Sequence, residues 1–120
     1  MGVGWVGGTL ARYFKEIKGY RRGENLFLYD IDPAKCSGDF NRADIIFITL
    51  PTPQNPKDGS CDTSIVEAAI PKIRGEKIVG IRSTVPPGTT ERLQKQYPRH
   101  KFLFNPEFLS ESRAWDDMIR

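Results

Sequence analysis

The sequence predicts an α/β fold, a three-layer sandwich on a mostly parallel sheet, and three observations predict it. Gly2-Val3-Gly4-Trp5-Val6-Gly7 has the G-x-G-x-x-G spacing of a phosphate-binding turn that opens a helix. Short apolar runs then alternate with amphipathic stretches through the 120 residues, the pattern of parallel βαβ units with right-handed crossovers. An acidic residue, Asp30, closes the first of those runs 23 positions beyond Gly7, close to the ~20 that separate the glycines of a Rossmann-type turn from its ribose-binding acid.

The elements follow in order. Leu10, Phe14 and Ile17 fall at helical spacing between Trp5 and Lys18, with Ala11 beside them and Gly19 as a stop. Leu26-Phe27-Leu28-Tyr29 reads as a short strand ending at Asp30. Ile45 to Leu50 is a continuous β-branched run, typical of a strand covered on both faces. Ser64-x-x-Glu67 has the form of a capping box, with Asp62, Thr63 and Ser64 as candidate caps, and predicts a helix that turns Ile65, Ala69 and Ile73 to the sheet. Pro71 should stop or kink it near residue 70. Ile78-Val79-Gly80-Ile81 is the next strand, a helix is expected from the Pro86-Pro87 step through Leu93, and Phe102-Leu103-Phe104 is a weaker last strand.

Composition narrows the function. The 18 basic and 15 acidic residues are interspersed and leave a net charge of +3. Gly19-Tyr20-Arg21-Arg22-Gly23 is too short a basic run for a nucleic-acid surface. Cys36 and Cys61 stand 25 positions apart and form neither a C-x-x-C motif nor a disulfide framework. No apolar run approaches the ~18 residues of a membrane span. A cytoplasmic protein of one domain, residues 1–120, is the reading, with no metal site, no nucleic acid and no membrane partner.

The residues with chemistry gather after the strands, where open parallel sheets bind ligands. Asp30 there would accept hydrogen bonds from adenosine ribose hydroxyls and repel a 2′-phosphate, which favours NAD over NADP; a cap on the turn before Pro33 is the other use of the same side chain, and Asp32 is an alternative ribose acid. Leu50-Pro51-Thr52-Pro53 forms either a stiff wall for a dinucleotide or a rigid turn without one. Ser83-Thr84-Val85-Pro86-Pro87-Gly88-Thr89-Thr90 offers hydroxyls and N–H groups to a phosphate, an amide or a water, or a helix cap. Glu107 and Glu111, four apart, would share one helix face, as a proton-handling pair or as solvated surface.

Taken together these segments resemble the amino-terminal domain of the UDP-glucose/GDP-mannose dehydrogenase family. The resemblance rests on Gly2–Gly7, on Ala43-Asp44-Ile45-Ile46-Phe47-Ile48 with Pro51-Thr52-Pro53, and on Asp58-Gly59-Ser60 with Asp62. Its most specific parts are Ile81-Arg82-Ser83-Thr84-Val85-Pro86-Pro87-Gly88-Thr89-Thr90 and Asn105-Pro106-Glu107-Phe108-Leu109. It implies oxidation of a nucleotide sugar's primary alcohol, UDP-glucose or similar, to a carboxylate with two NAD, in an enzyme that is a homo-oligomer at full length. It further implies that Gly2, Val3, Gly4, Trp5, Val6 and Gly7 hold the pyrophosphate, Asp30 the adenosine ribose, and that Lys35 lies beside the adenosine. Leu50, Pro51, Thr52 and Pro53 would wall the cofactor, while Ser83, Thr84 and Val85 would contact its nicotinamide half. Thr84 would also position the water that hydrolyses a thioester intermediate. Glu107 resembles the acid/base carboxylate next to substrate, with Phe108 and Leu109 against that substrate and Glu111 touching both cofactor and substrate.

Three departures from the family pattern shape the expectation. The strand that normally leads into the glycine turn is missing before Gly2, so the turn should lack its platform. The stretch between Asp30 and Ala43 is short enough to imply a deleted helix and strand. The family's nucleophilic cysteine, in a G-x-C-x-P-K-D setting, has no counterpart here, and neither Cys36 nor Cys61 sits where it could replace it. The expectation is an NAD-binding fragment of a longer dehydrogenase that does not complete the oxidation alone; the alternative is a module that binds a nucleotide without turnover.

Overall fold

Runs of β-branched and aliphatic residues make the sheet, and glycines and prolines set where its helices start and stop. The structure, a computed structural model, describes residues 1–105, with Trp5 and Val6 by backbone alone. In chain order its elements are α1 (Trp5–Glu16), β1 (Ile45–Ile48), α2 (Ser64–Ala69), β2 (Ile78–Ile81), α3 (Thr89–Gln96) and β3 (Lys101–Phe104). The strands form one parallel sheet in the order β1-β2-β3, with Ile45, Ile78 and Lys101 level at one end and Ile48, Ile81 and Phe104 level at the other. It is a small Rossmann-like α/β arrangement, as the alternation predicts.

The three layers differ in how well they are filled. Ile46, Ile48, Val79, Ile81 and Phe102 pack against Val66, Ile70 and Ile73 from α2 and its continuation and against Leu93 of α3. On the opposite face α1 buries Leu10 and Ala11, and its Phe14 ring meets Phe47 of β1 with centroids 6.0 Å apart. Gly80 keeps the middle of that face clear, since a Cβ there would meet the Phe47 ring at 3.0 Å.

Several expectations need correction. Ile65 is exposed and Val66 is buried in its place. Val66, Ala69, Ile70 and Ile73 follow the i, i+3, i+4, i+7 spacing of one helical stripe, which buries more apolar surface than Ile65, Ala69 and Ile73 alone. The Ser64–Glu67 capping box does not form: Thr63 is the cap residue, its hydroxyl donates to Glu67 Oε2 at 2.9 Å, and Asp62 Oδ1 accepts from the Ser64 N–H. Pro71 does end α2, within a 3₁₀ turn over Ile70–Lys72. The helix after Pro86-Pro87 begins only at Thr89, because Gly88 has φ +87° and a right-handed helix cannot run through it.

Leu26–Tyr29 is not a strand. Leu28 exchanges one pair of hydrogen bonds with Ser37, at 3.1 and 3.0 Å, and Tyr29 O accepts from the Gly2 N–H at 2.8 Å. Isolated rungs of this kind do not make a ladder. The chain on its sheet-facing side is only Met1-Gly2, which sits between this segment and β1. Met1 pairs with Ile48 in a parallel register: its amino group donates to Phe47 O at 2.5 Å, and Thr49 N–H donates to Met1 O at 2.8 Å.

Candidate functional site

The glycine turn and the loops after β1 and β2 meet at the level of Ile48 and Ile81, the carboxyl end of the sheet. Each glycine of the turn has its own reason. Gly2 has φ +91°, and a Cβ on it would lie 2.7 Å from Thr49 O. A Cβ on Gly7 would lie 1.9 Å from Gly2 O, so α1 rests directly on the turn. Gly4 is the cap residue of α1, and a Cβ on it would meet nothing within 4 Å. No side chain caps α1, and its first turn contains no acid. An uncapped helix start beside a backbone without a side chain fits a diphosphate.

Asp30 locks this turn in place. Its Oδ2 accepts from the Val3 N–H at 2.8 Å and its Oδ1 from the Asp32 N–H at 2.9 Å. Those N–H groups, Asp32 first and then Val3, hold its carboxyl below the usual carboxylate range, with a smaller pull from Lys35. A carboxylate that stays ionised while using one acceptor direction per oxygen retains others for ribose hydroxyls. Asp32 is committed elsewhere: it caps the 3₁₀ turn Pro33–Lys35 by accepting from Ala34 N–H at 3.0 Å. Lys35 is exposed at the end of that turn. Cys36 Sγ lies 3.1 Å from Asp30 O.

The two loops are tied to each other. Ser83 is buried; its N–H donates to Ile48 O and its hydroxyl donates to Leu50 O at 2.7 Å. The Ser83 side chain therefore works inside the protein, and the exposed polar side chain of this loop is Thr84. Val85 and Leu50 are half-buried against the core, whereas Pro51 and Pro53 are exposed with Thr52 between them. Cys61 Sγ donates to Thr84 O at 3.2 Å and so links the two walls. Glu107, Phe108, Leu109 and Glu111 lie outside the described residues.

Thr49 is the member of the site that sequence reasoning misses. Its hydroxyl lies 3.0 Å from Met1 O and 2.5 Å from Gly2 O, directly beneath the turn. A hydroxyl immediately after a buried strand, at the end where ligands bind, was the signal available. Among the described residues no group of three or more His, Cys, Asp or Glu could hold a metal ion, and no helix is long and apolar enough to cross a membrane.

Residues 32–120 match the model of the UDP-glucose/GDP-mannose dehydrogenase family, NAD binding domain. Similar proteins include a putative UDP-glucose 6-dehydrogenase of Bacillus subtilis, 42% identical over 86 residues, covering 62% of this chain and 20% of that protein. The UDP-glucose 6-dehydrogenase of Rickettsia typhi is 35% identical over 91 residues, covering 69% of this chain and 21% of its own length. That of Rattus norvegicus is 32% identical over 133 aligned positions, covering 95% of this chain and 26% of the relative. An alignment longer than the 120-residue chain means that segments of the rat protein have no counterpart here. The chain spans about a quarter or less of these relatives. It belongs to the UDP-glucose/GDP-mannose dehydrogenase family, through that family's NAD-binding domain.

Proposed function

We propose that this chain holds NAD with its pyrophosphate on the amino end of α1 and its adenosine ribose on Asp30, as the cofactor-binding part of a nucleotide-sugar 6-dehydrogenase. The observation that carries the reading is the contrast among the glycines: Gly2 and Gly7 are closed by backbone, while Gly4 faces open space at an uncapped helix start. Bound NAD would supply the hydride acceptor for oxidation of a primary alcohol. The chain's own residues bind and orient it. Asp30 selects against a 2′-phosphate by like-charge repulsion, Lys35 lies near the adenosine, and Leu50, Pro51, Thr52 and Pro53 form the wall that Ser83 braces from below. Thr84, together with Val85, faces the nicotinamide half and positions a hydrolytic water. Glu107 is the acid/base carboxylate, Phe108 and Leu109 contact substrate, and Glu111 contacts cofactor and substrate.

In this reading the substrate is a nucleotide sugar such as UDP-glucose, and the working enzyme is a cytoplasmic homo-oligomer longer than this chain. Residues 1–120 bind cofactor without completing the oxidation, since neither Cys36 nor Cys61 serves as the nucleophile. Isothermal titration tests the core of it: NAD binds, NADP binds at least about tenfold more weakly, and Asp30→Ala costs about 1–3 kcal/mol of NAD affinity, the range for a charged hydrogen bond. An Asp30→Ala titration that matches the parent chain removes Asp30 from the site. A nucleotide-binding module without turnover is the second reading; joining the chain to the remaining portion of a relative's enzyme separates the two, because only the first predicts uronic acid formation.

A further inference from the structure

A cleft of about 500 Å³ opens at the amino end of the strands, the opposite end of the sheet from the glycine turn. One wall is the turn that leaves α2, with Ile70, Ile73 and Arg74; the other is the turn between α3 and β3, with Tyr97, Arg99 and His100. Its size is that of an ordinary small-molecule site. Ile70, Ile73 and His100 are buried and make its inner part, while the two arginines, one on each wall, are exposed. No acidic side chain among the described residues lines it. His100 is the only histidine of the chain and is 5% exposed. Its ring is held from several sides. Nδ1 accepts from the Lys77 N–H at 3.1 Å, the ring stands edge-on to Phe102 with centroids 6.1 Å apart, and the His100 carbonyl accepts from the Gln94 side chain at 2.7 Å.

An Nδ1 that accepts leaves the ring proton on Nε2. That Nε2 has no partner among the described residues and keeps contact with the open cleft. A fixed N–H donor without a partner, in a recess of aliphatic side chains, calls for an acceptor. The arginines select a charged one. Arg99 has no ion pair among the described residues, and Arg74 meets Asp39 only at 3.8 Å in a pair open enough to water to hold it weakly. The geometry points to a binding site for a small oxyanion on an apolar body. The head, a carboxylate or a phosphate, accepts from His100 Nε2–H and lies between Arg74 and Arg99, whose planar forks match either group. The body lies against Ile70, Ile73 and Tyr97. Every residue of the site falls within 70–100, so neither the glycine turn nor either end of the chain enters it.

The test uses the full chain without nucleotide, so its outcome is independent of the NAD reading. Its readout is the imidazole Cε1–H resonance, a single signal because the chain has a single histidine. Phenyl phosphate or benzoate should shift that resonance saturably, with Kd at or below about 1 mM. At ten times Kd the same anion should slow carbethoxylation of the ring about tenfold. Benzyl alcohol, which has the body without the charge, should do neither, and the anion that binds more tightly identifies the head group. Arg99→Glu replaces an exposed side chain, so the fold should survive it while affinity for both anions falls at least about tenfold. His100→Asn, whose Oδ1 can still accept from the Lys77 N–H, should abolish binding in calorimetry; if that variant does not fold, Arg99→Glu decides the matter. The proposal is overturned if neither anion moves the histidine resonance, if benzyl alcohol binds as well as the anions, or if Arg99→Glu keeps full affinity.

Discussion

The two faces of the sheet are built to different standards. Under α2 and α3, Ile48, Val66, Ile70, Val79, Ile81 and Leu93 are fully buried and belong to one apolar cluster. Under α1, one aromatic pair, Phe14 and Phe47, carries the contact, Gly80 contributes no side chain, and Leu103 at the far edge is 57% exposed. The well-packed side holds the fold together, and the sparse side holds the glycine turn. The proposed cofactor site thus lies on the layer with the least packing behind it, and local stability should be lowest there.

The largest expected effect is on the packed side. Ile81→Ala removes a fully buried side chain and should cost about 2–5 kcal/mol in urea denaturation, where Phe14→Ala, from a half-buried position, should cost clearly less. Equal losses would erase the distinction between the faces.

Next in size is a pH effect confined to the α1 side. Burial pulls the Met1 amino group from 8.0 down to about 6, with Asp30 opposing the shift. The fold therefore favours the neutral amine. Its stability is complete above pH 8 and declines as pH falls through 8 to about 6, by roughly 2–3 kcal/mol in total at about 1.4 kcal/mol per unit. Denaturation midpoints on either side of that window measure the loss, and acetylation of the amino group should abolish the dependence, while Ile81→Ala should leave it intact.

A pair of glycine variants sharpens the comparison at the joint between helix and turn. Gly7→Ala drives a methyl group into Gly2 O and should cost about 1–3 kcal/mol of stability, because backbone has to move. Gly4→Ala meets open space, so its melting temperature should stay within about 2 °C of the parent while NAD affinity falls at least tenfold. If both variants lose stability alike, Gly4 is structural.

Most of this contrast was legible in the residues. The β-branched runs at Ile45 and Ile78 became strands, Gly19 and Pro71 ended their helices close to where they should, and the alternation of runs predicted a parallel sheet. What escaped depends on partners distant in sequence. Whether Ile65 or Val66 turns inward is decided by which stripe the sheet can cover. Leu26–Tyr29 has strand composition, but a strand also needs a neighbour long enough to pair with it. That the Ser83 hydroxyl turns to Leu50 O, at 2.7 Å, is likewise invisible in its own segment. Thr49 drew no attention because nothing in its local sequence shows that Met1 and Gly2 return to lie beside it.

The Thr49 hydroxyl has a mechanical consequence. Through it the bend at Met1-Gly2 is fastened to the first residue after β1, so the two shift as one piece. In the proposed reading, a dinucleotide that seats at either end would preset the other. Trimming Thr49 to valine, which keeps the bulk and leaves Met1 held by the backbone N–H of residue 49, would free the Gly2 end of that link.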